Sequence, residues 1–349
     1  MFTVDEVNPP LSLDAPGAED FIAAVAVKNA LEAEGYGTDE LSYTPEESLP
    51  GWHDKNQPIR LFVVRVDGRV VARAYYNTLA DDDTGTAWIG GGVLAPYRRQ
   101  GIGQSLIDHV SEVAAADGRR KLIVYSVSRD GDGLRVYPPT GFGSVPADNA
   151  EVVFLQSNGF ELEQVERGSR LALPVVVNVD DALARSGPDY RVHEWVGRAP
   201  DQWVDDLAVL LTRMSTDAPS AGLEEPEDVW TADRIRDYEQ RHESSPRTEV
   251  TAAVEHIPSG RLVGFTMLSA PAELERPLAQ EDTLVLRDHR GHALGMLLKL
   301  ANIDHVQRVL PGHPAIITFN AEENRHMLSV NEAVGFVPIG YEGAWKKVL

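Results

Sequence analysis

One pattern occurs twice in this sequence. A β-rich run ends, a short turn bearing arginine and glycine follows, and an apolar helix pattern begins at once. The first instance is TAWIGGGVL (86–94) leading to YRRQGIGQSL (97–106); the second is DTLVL (282–286) leading to HRGHALGMLLKL (289–300). Glycine inside a helix costs roughly 0.5–1 kcal/mol relative to alanine. Gly101 and Gly103 at a helix start therefore call for a reason other than propensity. A supersecondary order that repeats constrains domain count and fold class more tightly than any isolated motif.

The neighbouring segments extend the repeat. In the first half, 21–35 has helical periodicity, and 60–79 is two β-rich runs meeting at Asp67-Gly68, a hairpin signal. After the 86–94 strand and the helix to about Asp117 come a strand at 121–128, a Gly/Pro-rich loop, a helix near 151–157, Gly159-Phe160 and a strand at 169–177. The second half runs in the same order. It has a helix at 201–214, a hairpin over 251–271 turning at Ser259-Gly260, a strand at 282–286, and a long helix. A strand at 315–320 and a helix ending in Gly335-Phe336 complete it. Arg98 to Phe160 is 62 positions and Arg290 to Phe336 is 46; the 16-residue excess fits the loop DGDGLRVYPPTGFGSVPADN, unique to the first copy. The reading is a mixed α/β fold with a mixed sheet in each of two domains, 1–182 and 191–349, joined by a linker at 183–190.

A length of 349 residues suits two domains better than one. The net charge of −22 disfavours non-specific binding to nucleic acid or an anionic membrane and is compatible with a cationic substrate, although a solvated acidic surface explains it as well. With no cysteine, disulfides, thiolate metal sites and a cysteine nucleophile are excluded. The N-terminus lacks the pattern of a signal peptide and no apolar run has the length of a bilayer span, so a cytoplasmic location is expected.

A strand that enters a glycine-bearing turn and then a helix presents unpaired backbone N–H groups at the helix start. Together with the helix dipole these form an anion site, and glycine lets a phosphate approach them closely. The first turn reads as a diphosphate cradle over Arg98, Arg99, Gln100, Gly101, Ile102, Gly103 and Gln104, with the arginines adding charge beside it. It is not a Walker loop, since no Gly-Lys-Ser/Thr follows, nor a dinucleotide fingerprint, since the third glycine is missing. The bland alternative is a turn that glycine merely shapes.

In this setting Arg98-x-x-Gly101-x-Gly103, followed by helix, strand, helix and Gly159-Phe160, resembles the GNAT superfamily of acetyl-CoA-dependent N-acetyltransferases. The second copy resembles it at Arg290 and Gly295, with Ala293 in the middle glycine slot and Gly291, His292 and Leu294 around it. The resemblance covers most of the chain and implies two tandem acyl-CoA N-acyltransferase domains. It also implies backbone pairing of Val93 and Val285 with the pantetheine arm, acetyl-CoA as co-substrate without a metal, and a small-molecule amine as partner. The chemistry implied is acetyl transfer to a primary amine by direct attack in a ternary complex.

The family often draws a general acid from a tyrosine four residues before the glycine of Gly-Phe. That slot holds Leu155 in one copy and Asn331 in the other, so a catalytically inactive acyl-CoA-binding protein is the alternative. On the last helix, Asn324 and Asn331 share a face and, with Asn320, offer polar partners for a pantetheine or ribose. Asn320 with Glu323 reads equally as a helix cap. Glu281 and Asp282 are candidate bases acting through a water, against the plainer reading of a solvated strand end. His289 and His292 border the second turn without a third metal ligand.

Overall fold

The computed structural model describes residues 2–82 and 84–349. They form two compact units. One takes in the chain to Glu166 together with Ser220–Pro226 and Gly340–Leu349; the other comprises Arg167–Pro219 and Glu227–Ile339.

The first unit begins with β1 (Val4–Val7), α1 (Ala18–Tyr36), α2 (Pro45–Ser48), β2 (Ile59–Val66) and β3 (Arg69–Asn77). Asp67 and Gly68 between β2 and β3 both have positive φ, the conformation of a tight two-residue hairpin turn. Then come β4 (Thr86–Val93), α3 (Ile102–Ala116), β5 (Lys121–Ser128), the two-residue strands β6 (Arg135–Val136) and β7 (Val145–Pro146), α4 (Ala150–Ser157) and β8 (Glu161–Ala172), which belongs to the second unit from Arg167 on. On β2, Leu61 and Val63 pack with Phe21 and Ala24 of α1, while Phe62 and Val64 pack with Leu106 and Val110 of α3. A strand covered on both faces shows a continuous apolar run instead of alternation, as RLFVVRV does.

The second unit continues with α5 (Val179–Ser186), β9 (Tyr190–Val196), α6 (Val204–Asp217), α7 (Ala232–His242), β10 (Thr248–His256), β11 (Arg261–Ala270) and β12 (Leu278–Val285). It closes with α8 (Leu294–Val309), β13 (Ala315–Ala321) and α9 (Arg325–Val334); β14 (Val337–Val348) starts in it and belongs to the first unit from Gly340 on. Strands in the first unit lie in the order β1-β2-β3-β4-β5, followed by the 340–348 part of β14; in the second the order is β13-β12-β11-β10-β9.

Three differences from the sequence reading have physical causes. The strand expected at 169–177 runs from Glu161 to Ala172; Pro174, which has no N–H to give a ladder, lies beyond its end. The strands β9 and β14 and the helix α7 were not anticipated, and the stretch 183–190 holds the end of α5 and the first residue of β9. The loop unique to the first copy is a small β6–β7 hairpin. Arg135 pins it, donating from Nε to Ser144 Oγ at 3.0 Å and from the guanidinium to the Ser144 carbonyl at 2.7 Å.

Candidate active site

The two arginine-bearing turns follow the same main-chain path. A short 3-10 turn, Ala95–Tyr97 or Arg287–His289, leads to an extended residue, Arg98 (φ −70°, ψ 163°) or Arg290 (φ −70°, ψ 159°). Two left-handed residues follow, spaced two apart: Arg99 (φ 61°) and Gly101 (φ 89°) in the first unit, Gly291 (φ 86°) and Ala293 (φ 54°) in the second. Glycine fills the later position in one copy and the earlier position in the other. Ala293 thus holds a conformation that costs an L-residue roughly 1–2 kcal/mol. Neither α3 nor α8 has a side chain capping its first turn. The leading N–H groups of each helix, at Ile102, Gly103 and Gln104 and at Leu294, Gly295 and Met296, therefore have no intrahelical acceptor. Gln100, Gly101, Gly291, His292 and Ala293 are exposed.

The arginines that open these turns are not free charges beside the cradle. Arg98 donates from Nε to the Val93 carbonyl at 2.8 Å and grips both oxygens of Glu34 at 2.7 and 2.6 Å. Arg290 does the same from Nε to the Val285 carbonyl at 3.1 Å and reaches Asp217 at 2.8 Å, while Arg287 meets the other oxygen of Asp217 at 3.0 Å. Each arginine is a clamp that fixes the turn to the end of its strand, with its charge matched by a carboxylate. The carbonyls of Val93 and Val285 are correspondingly occupied. Gln104 is also tied down, donating to Asp108 and Asn158 at 2.8 and 2.9 Å.

In each unit the central strand pairs with its parallel neighbour only over its first residues and then parts from it. The β4–β5 ladder covers Thr86–Trp88 against Lys121–Ile123, and the β12–β13 ladder covers Leu278 and Ala279 against Ile316 and Ile317. In the first unit, Trp88 Nε1 and Tyr125 Oη both donate to Glu225 Oε1 at 3.1 Å, and Tyr36 donates to Glu342. The Tyr75 ring lies so close to β4 that a Cβ at Gly90 would fall 2.3 Å from it.

The second unit presents Glu281 and Asp282 on β12. Asp282 has its carboxyl pushed up to about 6, first by burial and then by Glu281 and Glu249. Burial also raises Glu281, with Arg247 opposing and Glu249 reinforcing. Glu281 keeps an exposed surface, and its carboxyl is still raised by the protein packed around it. Tyr238 of α7 donates to Glu249, and Arg247 is held by Ser269, with Nε to Oγ at 2.7 Å.

The model of the acetyltransferase (GNAT) family matches residues 21–142, from α1 to the loop between β6 and β7. The whole chain is similar in structure to a tandem GNAT protein from the clavulanic acid biosynthesis pathway. That likeness has a TM-score of 0.70 at 23% identity and covers 99% of this chain and 98% of the other. The chain has a tandem GNAT fold. A GCN5-related N-acetyltransferase from Sphaerobacter thermophilus is similar at a TM-score of 0.61 and 14% identity, covering 99% of this chain and 95% of that one. A glucosamine N-acetyltransferase region in a fungal multi-domain beta-N-acetylglucosaminidase gives 0.62 at 15% identity, covering 99% of this chain and 38% of that one. No curated protein sequence matches the chain.

In this chain the asparagines of the second unit have structural partners of their own. Asn324, not Asn320 with Glu323, caps α9, accepting the Met327 N–H at 3.3 Å. Asn331 is 1% exposed and donates to Asn320 Oδ1 at 2.6 Å, while its own Oδ1 has no protein partner. Leu155 is buried in the core of the first unit. His289 accepts or donates through Nδ1 at 3.1 Å to Tyr190, whose ring is also 5.6 and 5.3 Å from those of His256 and His292. Sequence reasoning missed Tyr238 because α7 was not recognised, and Glu249 because the hairpin was expected to start at 251, whereas β10 starts at Thr248. It missed Glu225 and Glu342 because they come from segments remote in the chain from Trp88, Tyr125 and Tyr36.

Proposed function

We propose that this chain is an acetyl-CoA-dependent N-acetyltransferase that acetylates a primary amine of a small molecule, with the second unit supplying the catalytic groups. The observation that carries this reading is the crowded carboxylate pair Glu281 and Asp282, on the strand that parts from β13 and leads to the bare N-terminus of α8. The diphosphate lies on the turn Arg290–Gly295, which has the main-chain path of Arg98–Gly103. An acceptor ammonium gives a proton through water to Asp282, a base placed near neutrality by its surroundings. The free amine attacks the thioester carbonyl and backbone donors stabilise the oxyanion; as the C–S bond breaks, the proton left on the attacking nitrogen passes to the departing sulfur, so CoA leaves as its thiol. The acetamide and CoA leave. The chain has no cysteine to carry an acetyl group, which favours direct attack.

Leu155 and Asn331, neither of them an acid, favour a second reading in which the chain binds acyl-CoA without turnover. Isothermal titration of the whole chain with acetyl-CoA, followed by thiol release over a panel of small primary amines, separates the two. The enzymatic reading expects binding, and turnover that D282N lowers by about 100-fold or more with binding retained. Absence of any binding heat refutes both readings; binding without turnover for every amine leaves only the second.

A further inference from the structure

Glu281 and Asp282 stand together at a break in the ladder. Thr266 pairs with Thr283 and Leu268 with Gln280, so two residues of β12 oppose the single residue Met267 of β11. This is a β-bulge, which frees main-chain groups that a regular ladder would bond and redirects the side chains it carries. The freed carbonyls are met by one side chain. Gln280 Nε2 donates to the Met267 carbonyl at 2.7 Å, to the Asp282 carbonyl at 3.2 Å and to Thr266 Oγ1 at 3.0 Å. Thr266 Oγ1 in turn donates to the Asp282 carbonyl at 3.2 Å.

An amide can face either way, and here a buried amine sets its direction. Lys299 of α8, 1% exposed, donates to Gln280 Oε1 at 3.4 Å, which turns the amide nitrogen toward the bulge. One turn on, Asn302 donates to the Val250 carbonyl at 2.9 Å and the Thr266 carbonyl at 3.4 Å. Counted from the turn arginines, the first unit has Ile107 and Val110 at these two helix positions, both in its apolar core. There β4 runs against β3 in unbroken register from Trp88 to Val93. The polar groups and the bulge occur in the same copy.

We propose that Gln280, oriented by the buried Lys299, is a positioning residue that holds the β12 bulge and so sets the direction of Glu281 and Asp282. Their role in proton transfer rests on the acetyltransferase reading; the control of the bulge does not. The titratable groups facing Asp282 are Glu281 on its own strand, Glu249 on β10 and Tyr238 on α7, while Arg247, just before β10, acts on Glu281 and Glu249.

The test uses amide hydrogen exchange and carbon-13 titration of the Asp282 carboxyl in the full chain, comparing wild type, Q280M and K299M. L297A, a cavity on the same helix, is the control for simple destabilisation. Amides over 280–284 are expected to exchange about tenfold faster in Q280M relative to the α8 interior, the factor that one hydrogen bond is worth. The Asp282 midpoint is expected to move. K299M shows the same changes in smaller degree, and L297A shows neither. Unchanged exchange and midpoint in Q280M and K299M, or equal changes in L297A, overturn the proposal. If Q280M does not fold, K299M decides by the same criteria. Thiol release measured in parallel keeps the two ideas apart: a wild type without turnover counts against the acetyltransferase reading, and an unmoved bulge counts against this one.

Discussion

Replacing Lys299 by methionine should stabilise the second unit while loosening the strand it supports. The ammonium is fully enclosed, with one hydrogen bond at 3.4 Å and the Phe336 ring 5.6 Å away. Burial pushes the amine down to about 7 from its ordinary 10.5. Above the ordinary value both folded and unfolded chains carry a neutral amine, and no penalty exists. As pH falls toward 7 the unfolded chain takes up a proton that the folded chain refuses, so stability declines by up to about 1.4 kcal/mol per pH unit. Below 7 both states are protonated and the loss is complete, at about 5 kcal/mol. Methionine removes this loss but leaves Gln280 Oε1 without its donor, which costs about 1–3 kcal/mol. The net expectation at pH 7 is a gain of about 2–4 kcal/mol that shrinks toward pH 10. Urea unfolding of both proteins between pH 6 and 9.5, followed by tryptophan fluorescence, measures it. A wild type as insensitive to pH as K299M, or a difference of the same size at both ends of the range, refutes the reasoning.

Other outcomes follow from the same geometry. Ala293→Gly should raise stability by about 1 kcal/mol by relieving a left-handed alanine, whereas Gly101→Ala should lower it by about as much. Thermal unfolding checks both, and because no atom lies within 4 Å of a Cβ at Gly101, a much larger loss would mean that sterics outweigh conformation there. Gly90→Ala should cost about 1–3 kcal/mol by overpacking against Tyr75, and the double variant with Tyr75→Ala should recover part of it. For the proposed reaction, the raised Asp282 carboxyl predicts thiol release that climbs through about pH 6 and levels above it; a profile flat from pH 5 to 8 would remove Asp282 as the base.

What was legible in the sequence is what short-range chemistry decides. The β2–β3 turn was visible because Asp67 and Gly68 suit the left-handed conformation both adopt. The turns before α3 and α8 were visible for the same reason, as was the end of α9, where Gly335 has φ 112°. The arginines were seen but their task was not, because Glu34 lies 64 positions from Arg98 and Asp217 lies 73 from Arg290. The bulge at Glu281 and Asp282 is a property of register with β11, which no periodicity in β12 announces. β14 escaped notice because its glycines look like breakers. Gly340 instead allows close approach of the Tyr36 ring, 2.9 Å from where a Cβ would stand, and Gly343 that of Trp345.

That last strand also sets a timetable for biosynthesis. It lies alongside β5 from Tyr341 opposite Ser128 to Val348 opposite Lys121, and it belongs to the first unit although the chain has by then made nearly all of the second. Translation at ordinary speed needs roughly 10–40 s to cover that interval. Throughout it β5 waits with one rim open, the kind of surface that recruits other strands and chaperones. Cutting the gene at its midpoint would leave that wait without an end, and the two fragments should recover their shape only when produced together.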